Sequence, residues 1–199
     1  MTEKEKMLSG KIYDPNDEEL FSLRRNAHNL CKVYNDTFED EGDRREELLN
    51  KLLPNRGKGT YLQGPVYFDY GVFTKVGENF FANFNFTVLD VCPVTIGDNV
   101  FVGPNVSILT PKHPLRWQDR NIYKSEKGYV TDKEYGVPVT IGDNCWIAGN
   151  VTICAGAKIG AGCVIGAGSV VTGEIPENSL AYGNPCRAVR KITEADKTE

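Results

Sequence analysis

A branched apolar residue recurs every six positions through the C-terminal half of this chain: Ile141, Ile147, Ile153, Ile159, Ile165 and Val171. Gly142, Ala148, Gly160 and Gly166 follow four of them. The same beat runs through Ile96, Val102 and Ile108, and more weakly upstream through Tyr70, Val76, Ala82 and Val88, with a two-residue slip before Ile96. Internal repetition constrains a fold more tightly than local propensity does, and a hexapeptide period reads as a parallel β-helix. Each unit makes one short strand and one corner, and three units close a triangular coil of about 18 residues. The branched residue points inward and stacks on its equivalent one coil away. Gly, Asn and Asp gather at the corners, where the backbone turns tightly and often needs positive φ. The competing arrangement is an antiparallel sandwich of short strands. Its turn signals fall at variable spacings of about 8–12 residues, which a sustained period of six does not match.

The beat breaks once, at "LTPKHPLRWQDRNIYKSEKGYVTDKEYGVPV", an excursion expected over residues 110–138. Ahead of the coil, residues 1–57 read as a helical segment. Leu20, Leu23, Ala27, Leu30 and Tyr34 keep helical spacing, with a start expected near Asp14-Pro15. "DRREELLNKLLP" reads as a second helix stopped by Pro54. Such a pair would cap the open end of the coil, which otherwise exposes unpaired strand edges and core. The β-helix is expected over 58–178. Residues 179–199 leave the beat after Pro176 and are expected to fold back along its side.

A formal net charge of −4 gives no electrostatic case for nucleic acid. No stretch is long and apolar enough to span a membrane. "MTEKEKMLSG" lacks the apolar core of a signal peptide, so a cytoplasmic location is expected. None of the six cysteines forms a CxxC pair. Cys145 and Cys163, 18 apart, would stack in successive coils as small buried hydrophobes, a disulfide or metal there being the alternative. The only histidines are His28 and His113. That is too few for the three-histidine zinc site of carbonic anhydrases built on this kind of coil, so no metal is expected. His28 falls on the first long helix and reads as a packing or surface residue. His113 falls where the coil pattern fails, between Pro111 and Pro114, which fix φ on either side. Loops on rigid scaffolds often carry function, and a neutral imidazole suits general-base work.

"FFANFNFTVLDVCPVTIGDNVFVGPNVSILTPKHP", "PVTIGDNCWIAGNVTI", "IGAGSVVT" and "GNPCRAVRKI" together resemble the maltose/galactoside O-acetyltransferase group of hexapeptide-repeat acyltransferases, and "TEKEKMLSGKIYDPND" resembles that group's N-terminal helical segment. The resemblance covers nearly the whole chain. It implies a left-handed parallel β-helix assembled as a homotrimer. It implies acetyl-CoA in the groove between subunits and a sugar acceptor beside the excursion. His113 would be the general base for direct acetyl transfer, with no acyl-enzyme. Asn83, Asp69 and Arg24 would contact the acceptor. Gly149 would turn its backbone N–H toward the thioester, Trp146 would border the pantetheine arm, Ala167 and Thr172 would contact CoA through backbone atoms, and Arg187 and Arg190 would approach its phosphates.

Several positions depart from the galactoside pattern. Asp69 stands where galactoside enzymes have Ser, Val91 where they have a second Asp, and Phe81 where they have Tyr; "YFDYG" and "LDVCP" match the maltose type better. Gly173 replaces a lysine that often follows "VVT". The excursion is longer by "YKSEKGYVTDKEY", read as a solvent-facing loop that would reshape the acceptor mouth. Glucose or maltose is the expected acceptor. Transfer to another hydroxyl (a galactoside, an antibiotic, a lipo-oligosaccharide) and a non-catalytic β-helix scaffold are the competing functions. Asp69 leans toward a polyhydroxyl acceptor.

Overall fold

The computed structural model describes residues 1–198, and inward stacking governs its architecture. Short parallel strands form three sheets, the faces of a prism, which the chain visits in strict rotation. Face 1 holds Tyr61–Leu62, Phe81–Ala82, Phe101–Val102, Trp146–Ile147, Val164–Ile165 and Ser179–Gly183. Face 2 holds Val66–Phe68, Phe86–Leu89, Ser107–Leu109, Thr152–Cys154 and Val170–Val171. Face 3 holds Thr74–Val76, Val94–Ile96, Val139–Ile141, Lys158–Ile159 and Glu174–Ile175. The stacks follow the beat: Val76, Ile96, Ile141, Ile159 and Ile175 pair in register down face 3. Phe68, Val88, Ile108, Ile153 and Val171 do so down face 2. All ten are buried. Burying such a side chain is worth about 1.5–3 kcal/mol each.

The outward positions differ by face. Face 3 presents Lys75, Thr95, Thr140, Lys158 and Glu174. Face 1 presents a ladder of aromatics, Tyr61, Phe81, Phe101 and Trp146, in register. Its first three rings lie about 6 Å apart, at 6.0 and 6.1 Å. At the corners, Asn79, Asn85, Asn99, Asn105, Asn144 and Asn150 all adopt positive φ between 54° and 60°. Their amides bond from coil to coil: Asn85 donates to Asn105 at 2.8 Å and Asn105 to Asn150 at 3.1 Å. Asn tolerates the left-handed region while satisfying its own polar group.

The irregularities concentrate at the corner between faces 2 and 3. Phe68 to Val76 and Val88 to Ile96 are each eight-residue steps, and the excursion leaves the same corner one coil later. The expected upstream beat is therefore corrected at its first member. Phe68, not Tyr70, stands in the stack, and Tyr70 joins a second apolar cluster with Met7, Tyr13, Leu20 and Val91. Gly71 is obligatory in the first slip: its φ is +71°, and a Cβ there would lie 2.1 Å from the Leu52 carbonyl oxygen.

Three helices precede the coil: α1 (Glu3–Leu8), α2 (Glu18–Asn35) and α3 (Gly42–Leu52). α2 starts at an Asp17 cap rather than at Asp14-Pro15; the Asp17 side chain accepts the Glu19 N–H. Ala27, Cys31 and Tyr34 of α2 and Leu49, Leu52 and Leu53 at α3 share one core with Leu62, Val66 and Phe68 of the first coil. Buried Arg45 donates to the Tyr34 hydroxyl at 2.9 Å and to the Leu62 carbonyl at 2.6 Å, which satisfies its charge against burial. At the other end, Ser179–Gly183 pairs in parallel with Val164–Ile165, and Cys186–Lys191 then turns back on it antiparallel. The cysteines are free. The Cys145 and Cys163 thiols donate to the carbonyls of Gly160 (3.1 Å) and Pro176 (3.0 Å) instead of bonding to each other.

Asp90 anchors the irregular corner. Its carboxylate accepts the Tyr70 N–H at 2.8 Å and the Thr74 hydroxyl at 2.9 Å. Burial nevertheless pushes its carboxyl up to about 6. The folded chain thus holds this proton at a pH where the unfolded chain has released it. The contribution to stability is full below about pH 4 and declines by about 3 kcal/mol as pH rises to 6. In urea titrations, Asp90→Asn should flatten the fall in unfolding free energy over that window; an unaltered slope would remove Asp90 as its source.

Candidate active site

His113 sits on the excursion just after a two-residue strand, Pro111–Lys112, which pairs antiparallel with Tyr135–Gly136 on the way back. Its ring is about half exposed, with side-chain exposure of 43%. Nδ1 lies 3.1 Å from the Lys133 carbonyl oxygen and 3.3 Å from the Asp132 carboxylate. A carbonyl can only accept, so the ring donates from Nδ1. The neutral ring then keeps a lone pair on Nε2, the form a general base needs.

The surroundings of His113 come from three elements. Glu134, on the same returning limb as Asp132 and Lys133, is partly buried, and its carboxylate accepts the Tyr13 hydroxyl at 2.8 Å. Burial pushes the Glu134 carboxyl up; the hydrogen bond from Tyr13 opposes this, while Asp132 and Asp69 reinforce it. Asp69 follows face 2 at the same corner. Burial pushes its carboxyl up too, opposed by a hydrogen bond and charge from His28 and by the charge of Arg24. Arg24, on α2, donates to the Pro15 carbonyl at 3.1 Å and to the Tyr70 hydroxyl at 3.3 Å. Burial pushes the Tyr70 phenol up to about 12. Asp69, Arg24 and His113 thus share one polar neighbourhood. From Asp69 a cleft of about 420 Å³ opens between α2 and face 2, lined by His28, Cys31, Lys32, Tyr67 and Leu89 among others.

The other expected residues lie elsewhere. Asn83, Gly149 and Ala167 occupy the corner between faces 1 and 2, beside Trp146 on the outer side of face 1. The Asn83 Oδ1 accepts the Phe84 N–H at 2.7 Å, which leaves its NH2 as the donor end. The Gly149 N–H has no acceptor among the described residues. Thr172 follows face 2, on the corner of Asp69 and not that of Ala167. Arg187 is exposed, and its guanidinium donates to the Cys186 carbonyl at 2.8 Å. Arg190 is engaged within the chain by a two-pronged ion pair to Asp196 at 2.8 and 2.6 Å. The structure therefore divides the expected set. Asp69, Arg24, His113 and Thr172 lie on one edge of the prism. Asn83, Trp146, Gly149 and Ala167 lie on another.

Four neighbours of His113 and Asp69 escaped sequence reasoning: Tyr13, Glu134, Asp132 and His28. His28 is exposed, in keeping with the surface alternative of its packing-or-surface reading, and its Nε2 lies 3.5 Å from the Asp69 carboxylate. Tyr13 and Glu134 are 121 positions apart, and no local pattern marks such a pair. The insertion is also more than a solvated loop. The Tyr129 and Thr131 hydroxyls both donate to the Asp14 carboxylate. Among the described residues, no three His, Cys, Asp or Glu side chains cluster so as to hold a metal ion, and no helix is long and apolar enough to cross a membrane.

Comparison with known proteins now bears on this arrangement. Residues 6–57 match the maltose acetyltransferase hexapeptide capping motif, and residues 138–173 match the bacterial transferase hexapeptide of six repeats. Residues 93–110 match the hexapeptide repeat of succinyl-transferase. A maltose O-acetyltransferase from Clostridium difficile 630 superposes with a TM-score of 0.90 at 50% identity, over 98% of this chain and 99% of that one. The chain belongs to the maltose/galactoside O-acetyltransferase group of hexapeptide-repeat acetyltransferases. The galactoside O-acetyltransferase of Escherichia coli K12 is 38% identical, covering 97% of this chain and 91% of its own. A hexapeptide-repeat acetyltransferase from Vibrio cholerae O1 biovar eltor, solved with acetyl coenzyme A, is 32% identical with a TM-score of 0.84, over 98% of this chain and all (100%) of that one.

The His28–Asp69 contact is testable without substrate. His28→Ala removes the main influence opposing burial, so the Asp69 carboxyl should titrate at higher pH, read from its side-chain 13C resonance. No upward movement would mean that the contact does not form in solution.

Proposed function

We propose that this enzyme transfers the acetyl group of acetyl-CoA to a hydroxyl of a sugar, with glucose or maltose as the acceptor, and that His113 is the general base. The observation that carries this reading is the His113 ring: Nδ1 is tethered to the Lys133 carbonyl, while Nε2 is left to accept. An alcohol attacks a thioester slowly unless a base takes its proton as the bond forms. His113 Nε2 takes that proton, the acceptor oxygen bonds to the thioester carbonyl carbon, and a tetrahedral oxyanion forms. The carbon–sulfur bond then breaks. CoA thiolate leaves, and the imidazolium returns the proton to it. No cysteine is acylated. The Asn83 NH2 is a donor suited to an acceptor oxygen, and the Gly149 N–H is one suited to the thioester. Asp69 and Arg24 bind acceptor hydroxyls. Trp146 borders the pantetheine arm, and Ala167 and Thr172 meet CoA through their backbones. Arg187 approaches its phosphates, and Arg190 does so by exchanging Asp196 for them.

The division of these residues between two edges gives the assembly its reason. One chain supplies His113, Asp69, Arg24 and Thr172, and a neighbour supplies Asn83, Trp146, Gly149 and Ala167. A closed ring of three chains satisfies every edge at once. The outward ladder of Tyr61, Phe81, Phe101 and Trp146 is the apolar surface that such a neighbour covers. We place the reaction in the cytoplasm, where acetyl-CoA is drawn upon.

The deciding assay is CoA release from acetyl-CoA against glucose, maltose, a galactoside, an amino sugar, serine and chloramphenicol. Glucose or maltose should be turned over fastest; release with serine or chloramphenicol alone would move the acceptor class. His113→Ala should cut turnover by about 10²–10⁴ with the assembly intact; unaltered turnover would remove His113 from the mechanism. Light scattering should give the mass of three chains, and Phe101→Glu should lower it toward one. A wild-type monomer would undo the shared site.

A further inference from the structure

We propose that Asp14 is a positioning residue for His113, acting through the longer excursion: it clamps the returning strand at Tyr129 and Thr131 and so fixes the Asp132–Lys133 segment that holds the imidazole.

The two partners of His113 Nδ1, the Lys133 carbonyl and the Asp132 carboxylate, lie on a four-residue bridge. One end of the bridge is held by Tyr135–Gly136, paired with Pro111–Lys112 on the outgoing limb. The other end is Thr131. It belongs to a two-strand hairpin, Tyr123–Lys124 with Val130–Thr131, which carries little core of its own. Ile122, Tyr123 and Val130 are exposed, and Thr131 alone is buried. Such a hairpin is marginal in water unless something outside it holds it.

Asp14 supplies that hold. One carboxylate oxygen accepts the Tyr129 hydroxyl and the other accepts the Thr131 hydroxyl. Asp14 is itself fixed: its N–H donates to Glu3 at 2.7 Å, and its carboxylate accepts the Asn16 N–H at 3.0 Å. The residues on either side reinforce the clamp. Tyr13 donates its N–H to the Glu134 carbonyl at 3.0 Å, and Asn16 donates to the Val130 carbonyl at 3.1 Å. Burial pushes the Asp14 carboxyl up, but the hydrogen bonds from Thr131 and Tyr129 prevail and hold it below the usual carboxylate range. Hydrogen bonds to a charged acceptor are the stronger kind. The insertion and its fastening are thus one device. Without the fastening, the bridge moves, Nδ1 loses its two acceptors, and the imidazole proton is free to redistribute between its nitrogens.

This inference rests on His113 being the base, so its first readout is independent of turnover. With only two histidines, 15N ring spectra in a His28→Gln background report His113 alone. The wild-type loop should show the Nδ1–H tautomer. Asp14→Ala and Thr131→Val should both shift the ring toward a mixture. In acetyl transfer, Asp14→Ala should lower kcat about tenfold to hundredfold, as expected for a displaced base, with the KM for acetyl-CoA changed less than about twofold. Asp14→Asn, which can still bond both hydroxyls, should recover most of the loss. An unaltered His113 tautomer in the Asp14 and Thr131 variants overturns the proposal, whatever acceptor the enzyme uses. So does a kcat loss that follows Tm across the variants and is not recovered by Asp14→Asn. Absence of turnover with every sugar would instead count against the acceptor assignment, and the tautomer would still decide the role of Asp14.

Discussion

Everything in this molecule depends on like residues stacking on like residues one coil away. Strands of two or three residues have no stability alone. Here each is held by hydrogen bonds to the coils before and after it, and each inward Ile or Val fills the space left by the pair beneath. β-branched side chains suit this arrangement because their restricted χ1 matches a pleated, close-packed stack. The corner asparagines add a second, polar column to the apolar one. Position within the coil therefore acts as an address. Once the register is known, a residue number states which face or edge of the prism a side chain occupies.

That regularity leaves little room for polar groups inside the coil, and the titratable side chains around His113 and Asp69 gather where it lapses. The corner between faces 2 and 3 carries both eight-residue steps and the whole excursion. α1 and α2 pack over it through Met7, Leu20 and Tyr70. Burial at this corner raises the Asp69 and Glu134 carboxyls, offset in part at Asp69 by His28 and Arg24 and at Glu134 by the Tyr13 hydroxyl. The opposite arrangement holds at the corner of Asn83 and Gly149, which stays open and offers uncommitted donors. One edge gathers the titratable side chains, the other the open donors.

Much of this was readable in advance, for a physical reason. From Ile141 to Val171 the stacking period is unbroken, so sequence spacing and three-dimensional register coincide. Upstream, Phe68 and Tyr70 are aromatics two positions apart, with the same parity along a strand, and nothing in the spacing tells which faces inward; the corner slip decides it. His113 stood out because two prolines flank it where the beat stops. Tyr13, Asp14 and Glu134 gave no such sign. Their partners lie more than a hundred positions away, and pairings at that distance leave no period behind. The separation of Asn83 from His113 follows from the coil addresses alone, yet becomes evident only once the slips are counted.

The excursion departs after Leu109 and returns at Val139, and Ile96 and Ile141 then stack as if nothing lay between them. A loop whose two ends are fixed by the scaffold costs closure entropy that grows only with the logarithm of its length, about 0.6 kcal/mol per doubling. Length at this corner is therefore nearly decoupled from the stability of the coil. The prism behaves as a fixed chassis with one replaceable part, and that part carries His113. Descendants of such a chain can rewrite this single loop and its fastening while the stacked coils around it stay untouched.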